Sequence, residues 1–212
     1  MYSLTELLDT DDPAWPEIEA VIAAAPYSVV VLDADTRRAD LELLQVQVTT
    51  RSWLGAVVHR SGGLVLDHGW LRVLGSGSEQ HLLASLGEIN EGVAGRLVVA
   101  QDVLGGQFAW MPGPSGKPTI WYLAPDTLRW EDTARGYGDW LAAMISGAMN
   151  GFYEELRWPG WADEVAACRL DQAINVLPPL WTREGKDHNA VSRRPIPMSE
   201  AMSLIGAANT SP

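Results

Sequence analysis

The chain has 212 residues, 27 acidic against 15 basic side chains for a formal net charge of −12, and one cysteine. That length can bury roughly seventy per cent of the unfolded chain's surface, so a core forms without metal or disulfide staples. Cys168 alone closes no internal disulfide, and lysine and arginine nowhere gather into the cationic stripe that nucleic-acid binding requires.

The amino-terminal stretch MYSLTELLDTDD carries acids where a signal peptide carries Lys or Arg, and no apolar segment follows it. The longest charge-free runs, Val103 to Gly116 and Trp140 to Tyr153, are 14 residues each and are interrupted by Gly, Pro or Asn, too short and broken to span a bilayer. The expectation is a soluble, cytoplasmic protein with neither a membrane nor a nucleic-acid partner.

In chain order, Pro13 suits the first turn of a helix. Trp15, Ile18, Val21, Ile22 and Ala25 then recur at helical spacing until Pro26 ends the run. Trp53 to His59 is a compact apolar run that reads as a strand, with Ser61, Gly62 and Gly63 as the turn and Leu64 to Leu66 as its antiparallel return. Five more strand-like runs follow: Trp70 to Leu74, Arg96 to Ala100, Gln107 to Met111, Thr119 to Leu123 and Leu128 to Asp132. Between the first two lies a helical run, Glu79 to Leu86, and residues 112 to 117 form a hairpin loop.

Trp140, Leu141, Met144, Ile145 and Ala148 make one stripe of a helix bounded by Gly138 and Asn150. Phe152 to Arg157 reads as a short helix stopped by Pro159, resuming over Trp161 to Cys168. Beyond Trp181 the chain turns polar, with one short helix near Met198 to Ile205 and a mobile end. The expected architecture is an α+β single domain over 1–182, a mostly antiparallel sheet flanked by helices, and a surface-packed extension over 183–212.

Nine of the seventeen aromatic residues fall between Trp121 and Trp161. Large flat side chains suit a core or a partner-binding face, whereas catalysis needs titratable groups within mutual reach. At the turn Trp158, Pro159, Gly160, Trp161, just after the acids Glu154 and Glu155, the two indoles read either as core plugs or as partner-binding anchors.

Other chemistry is sparse. Gly75, Ser76, Gly77 and Ser78 follow a strand and precede the Glu79 run, a place where free amides hold a phosphate or where Ser78 simply caps a helix. No lysine follows as in a P-loop, and the order of Gly75 to Ser78 does not make a serine-hydrolase elbow. Asp67 and His68 are neighbours on a strand and diverge unless the backbone turns sharply, as Gly69 allows. Glu131 with Asp132 and Glu154 with Glu155 read as solvated doublets, not a glycosidase pair. The spacing of His59, His68, His81 and Asp67 predicts no metal site, no motif calls for a cofactor, and Cys168 reads as a small buried filler.

The segments DPAWP (12–16), QVTTRS (47–52), DHGWLRVLGSG (67–77), QDVLGGQFA (101–109), WYLAPDTLRWED (121–132) and GFYEELRWPGW (151–161) resemble a bacterial family known as domain of unknown function 2625. That name carries no chemistry. More distantly, 97–145 is similar to the SUKH superfamily: VVAQDVLGGQFAW, then an aromatic strand, WED, and a helix with Trp140 and Leu141. That resemblance implies a SUKH-like α+β fold whose members mostly bind other proteins, among them immunity proteins that neutralise toxins. The favoured reading is a non-enzymatic protein-binding module with a partner that is basic if charge governs the encounter; a homo-oligomer is left open. The alternative is a small hydrolase or a phosphate- or ligand-binding protein using Asp67, His68 and the Gly75–Ser78 turn.

Overall fold

A computed structural model of the chain describes residues 1–8, 11–187 and 190–209. Helix α1 (Leu4–Leu7) opens on Ser3, whose amide donates to the Glu6 carboxylate at 2.7 Å. Helix α2 (Trp15–Ala23) buries Trp15 and Ile18, as its apolar spacing foretold, but Pro16 and not Pro13 occupies its first turn. Strand β1 (Val29–Leu32) and helix α3 (Thr36–Val46) follow, the helix capped by Asp35, which accepts from the Arg38 amide at 2.9 Å.

The run expected as a strand over Trp53 to His59 is a helix, α4 (Trp53–Arg60). Ser52 caps it, accepting from the Gly55 amide at 3.0 Å, and Leu54, Gly55, Ala56, Val57 and Val58 are all buried. Five consecutive buried residues make a short apolar run, and over so short a run a buried helix and a buried strand look alike in sequence. Strand β2 (Gly63–Leu66) therefore pairs with β1 and with β3 (Leu71–Leu74), not with 53–59.

Strands β4 (Leu97–Asp102), β5 (Gln107–Pro112), β6 (Pro118–Leu123) and β7 (Trp130–Asp132) complete a seven-stranded sheet in the order β1 to β7, antiparallel throughout. All five runs expected from Trp70 onward lie on it. The expected helix over Glu79 to Leu86 does not form. Ser78 and Leu83 instead exchange backbone hydrogen bonds at 2.8 and 3.0 Å, and the helix that follows, α5 (Leu86–Asn90), is capped by Ser85 rather than Ser78.

The Trp140 stripe starts as α6 (Tyr137–Ala143), widens into a π-helical turn over Met144–Ala148 and ends in α7 (Met149–Phe152). Gly147, at φ 114°, supplies the break that a side chain would resist. Residues Glu154–Leu156 form a single 3₁₀ turn where a longer helix was expected, and α8 (Trp161–Ala166) follows. Two strands the sequence did not disclose, β8 (Gln172–Leu177) and β9 (Ser192–Pro197), pair across position 182 as a separate hairpin, and α9 (Met198–Asn209) closes the chain. The end expected to be mobile includes 210–212, which lie outside the described residues. Among the described residues no helix is long and apolar enough to cross a membrane.

Cross-strand register assigns the two sheet faces, because directly paired residues project to the same side. Leu64, Val73, Ala100, Phe108 and Tyr122 form one row. The Phe108 ring meets Trp140 of α6 at 5.0 Å, so this is the helix-covered face. The other row runs Val65, Arg72, Gln101, Gln107, Leu123, Trp130. Its middle is polar, and the β8–β9 hairpin and α9 lie over it: Arg72 donates to the Leu170 carbonyl at 3.0 Å, and Gln101 to Met202.

Candidate functional site

The backbone turns sharply after β2. Asp67, His68 and Gly69 have φ of 50°, 61° and 95°, so the strand alternation that would separate Asp67 from His68 stops there. The turn folds Asp67 inward, with its side chain 7% exposed, while His68 remains half exposed. His68 Nε2 lies 4.0 Å from Asp67 Oδ1, but the closer partner is Arg157, whose Nη2 donates to Asp67 Oδ2 at 2.5 Å.

That guanidinium sits in an aromatic box. Its central carbon lies 4.1 Å from the Trp161 ring centroid and 5.0 Å from that of Trp70. Trp70 is fully buried and touches Tyr153, Trp158 and Trp161 at centroid distances of 5.3, 5.8 and 5.2 Å. Trp158 is 2% exposed, its Nε1 donating to Glu164 at 3.0 Å and its ring lying beneath Arg193. Trp161 is partly buried, its ring edge-on to His68 at 5.7 Å, while Glu154 and Glu155 are exposed. Of the two indoles, Trp158 is thus a core plug and Trp161 is the one within reach of solvent.

The Gly75–Ser78 turn lies elsewhere and is internally bonded. The amides of Ser76, Gly77 and Ser78 donate to the carbonyls of Ser61, Gly62 and Leu83 at 3.0, 2.9 and 2.8 Å, and Ser76 Oγ donates to Ser61 at 3.0 Å. These three amides are therefore not available to an anion. Ser78 Oγ contacts Nδ1 of His81 at 3.0 Å, at the surface. The structure does not bring this turn's donors and Asp67 together into one constellation.

A second buried carboxylate, Asp102, ends β4 and was not singled out by its sequence. It accepts from the amides of Leu104 and Gly106, each at 2.9 Å, and from the hydroxyls of Tyr122 at 2.7 Å and Tyr153 at 3.4 Å. Burial pushes its pKa up while these donors pull it down. Gly106 is required there, since a Cβ at that position would lie 2.2 Å from Asp102 Oδ2. Cys168 is buried, and burial raises its pKa against the opposing charge of Arg72. Among the described residues no group of His, Cys, Asp and Glu gathers as metal ligands.

A cavity opens on the second sheet face. It encloses about 740 Å³ between the β4–β7 strands, the Leu82–Val93 segment and α9. Gln101, Gln107, Leu123 and Trp130 form its floor, in one register row. Leu83 and Ile89 line one wall, and Met198 and Met202 the other.

A model of the family described as "Protein of unknown function DUF2625" matches residues 4–201. The chain belongs to that family. It is 36% identical over 205 residues to YbfG of Escherichia coli (strain K12), an uncharacterized protein, covering 94% of each chain. An uncharacterized protein of Haemophilus influenzae (strain ATCC 51907 / DSM 11121 / KW20 / Rd) is 32% identical over 190 residues, 85% of this chain and 83% of the relative.

In this DUF2625 chain the residues that sequence reasoning missed are Arg157, Asp102, Gln101 and Gln107. Arg157 is 90 positions from Asp67, so no local spacing reports their pairing. The glutamines had a visible signal: polar residues at inward positions of otherwise apolar strands, in LVVAQD and QFAWMP.

Proposed function

We propose that this DUF2625 chain acts by binding another protein, as an immunity-type antagonist or an adaptor, and not by catalysis. The observation that carries the reading is the corner at Trp161. A partly buried indole is held at fixed geometry over Arg157, in a segment that also presents Glu154, Glu155 and Asp163 to solvent. A rigid aromatic anchor ringed by charge suits a binding centre. The net charge of −12 favours a basic partner, because complementary fields steer encounter. The hydrolase alternative loses support from the same geometry. Asp67, the carboxylate beside His68, is committed to Arg157, and the Gly75–Ser78 amides are committed to the protein itself.

The test uses a partner captured from native lysate and then purified. Its association rate should fall as salt rises, and a Glu154→Lys, Glu155→Lys double variant should slow association several-fold at low salt. Association insensitive to both would defeat the reading. Turnover of a small substrate that disappears in Asp67→Asn or His68→Ala would transfer it to the hydrolase. A ligand-binding role is favoured separately by the cleft on the second sheet face.

A further inference from the structure

We propose that the cleft over Gln101 and Gln107 is a binding site for a small uncharged molecule with a flat apolar body and a lactam- or amide-like edge that donates and accepts side by side. The site is independent of the Trp161 corner.

The argument starts from the floor. Gln107 is 7% exposed, lines the cleft, and has no side-chain hydrogen-bond partner among the described residues. Its carboxamide is not sealed in the core but faces the open cleft, where its donors and its acceptor are within reach of a bound molecule. Its register neighbour Gln101 is 4% exposed and gives one N–H to Met202 Sδ at 2.9 Å, a weak acceptor. Its carbonyl oxygen has no partner among the described residues. Two carboxamides that are neighbours in the register thus offer both acceptors and donors, which complement a group carrying both.

Charge and shape restrict the occupant further. The carboxylates at the rim are already engaged: Glu88 accepts from the Ser85 amide at 2.7 Å, and Asp171 pairs with Arg169 at 2.5 Å. Arg96 stands over the Trp130 ring at 5.7 Å. Apart from Arg96, which is exposed at the mouth and turned to the Trp130 ring, the cleft is lined by neutral polar groups between apolar walls, and a bare charge placed deep in it would be desolvated without a counter-charge. Trp130 and Leu123 on the floor, with Met198 and Met202 opposite, suit a planar body, the methionines adapting to its outline. A volume of about 740 Å³ lies within the range of small-molecule sites.

The experiment measures binding of quinolin-2-one to the whole protein by calorimetry, beside N-methylquinolin-2-one, which lacks the donor, and naphthalene, which lacks both groups. Quinolin-2-one should bind saturably. The N-methyl compound and naphthalene should each bind about tenfold or more weaker, and Gln107→Leu should weaken the parent by a similar factor. Should Gln107→Leu not fold, Ser203→Trp, which fills the cleft from an exposed position of α9, should abolish binding. No saturable binding of quinolin-2-one up to its solubility limit would overturn the proposal. So would equal affinity for the N-methyl compound, unchanged affinity in whichever variant folds, or stronger binding of an extended blocked peptide, which would reassign the cleft to a protein segment.

Discussion

Arg157 and Asp67 are joined by a 2.5 Å ion pair across 90 positions of chain, with the guanidinium 12% and the carboxylate 7% exposed. The pair ties the segment after α7 to the turn after β2, and its location under Trp161 makes it the support of the candidate corner. Removing one member of a buried pair leaves the other charge without compensation, which costs about 3–5 kcal/mol. Asp67→Asn isolates that effect, because asparagine accepts the left-handed backbone at φ 50°. Denaturant unfolding should show a loss of that order. An Asp67→Asn, Arg157→Met double variant should recover part of it, since no lone charge remains buried. A loss near zero for Asp67→Asn would mean that the pair is open to water in solution.

Trp140 is 1% exposed and touches Phe108 and Tyr137 at centroid distances of 5.0 and 5.8 Å. Trp140→Ala should cost about 3–5 kcal/mol, as large-to-small changes of a buried indole do. Gly147→Ala, one π-helical turn on, should cost about 1–3 kcal/mol without removing any contact, because φ 114° lies outside the regions an alanine adopts readily. Thermal unfolding checks both. An unchanged midpoint for Trp140→Ala would place that indole in solvent.

How far the sequence disclosed this molecule depends on whether each element shows one face to water. The strands from Trp70 to Asp132 alternate or carry turn signals between them, and they were legible. Helix α4 was not, because Leu54 to Val58 are five consecutive buried residues, a short apolar run that reads equally as a strand. Helix α3 does show one face to water, with an Asp35 cap, a buried stripe through Ala39 and Leu43 and charged outer residues, so it was legible although it was not among the expected elements. The β8–β9 hairpin escaped because 14 residues and two prolines, Pro178 and Pro179, separate strands whose partner is each other and not the main sheet. At the corner, sequence located Trp158 and Trp161 correctly as neighbours but could not say which is enclosed, since that is decided by Trp70 and Arg157 from distant strands and turns.

Tyr122, Tyr137 and Tyr153 are buried, and burial raises all three above the ordinary tyrosine value of 10.0, with the Asp102 charge adding to it for Tyr122 and Tyr153. A group whose folded pKa is raised contributes stability that is complete below its unfolded pKa and is lost as pH climbs towards the folded one. Stability should therefore fall steadily above pH 10. In an absorbance titration these phenolates should appear in one step that coincides with unfolding by circular dichroism. Tyr122→Phe should soften that alkaline loss but reduce stability at neutral pH, since Asp102 then loses its 2.7 Å donor. Smooth ionisation of all tyrosines in a still-folded protein would contradict the burial.

The two tryptophans of the corner should behave differently. Trp158 is enclosed at 2% exposure and donates to Glu164, so Trp158→Ala should cost about 3–5 kcal/mol of folding stability and is unsuitable as a pure binding probe. Trp161 is only partly buried, and its loss uncovers one side of Arg157 while leaving the Asp67 pair in place. Trp161→Ala should therefore remain folded at room temperature, and partner dissociation should quicken by about thirtyfold, the equivalent of about 2 kcal/mol at a hot spot. Unfolding midpoints and dissociation rates, measured on the same two variants, separate the roles. If Trp161→Ala unfolds as readily as Trp158→Ala, the whole corner is core and the binding face lies elsewhere; if it folds and dissociation is unchanged, the indole is not the anchor.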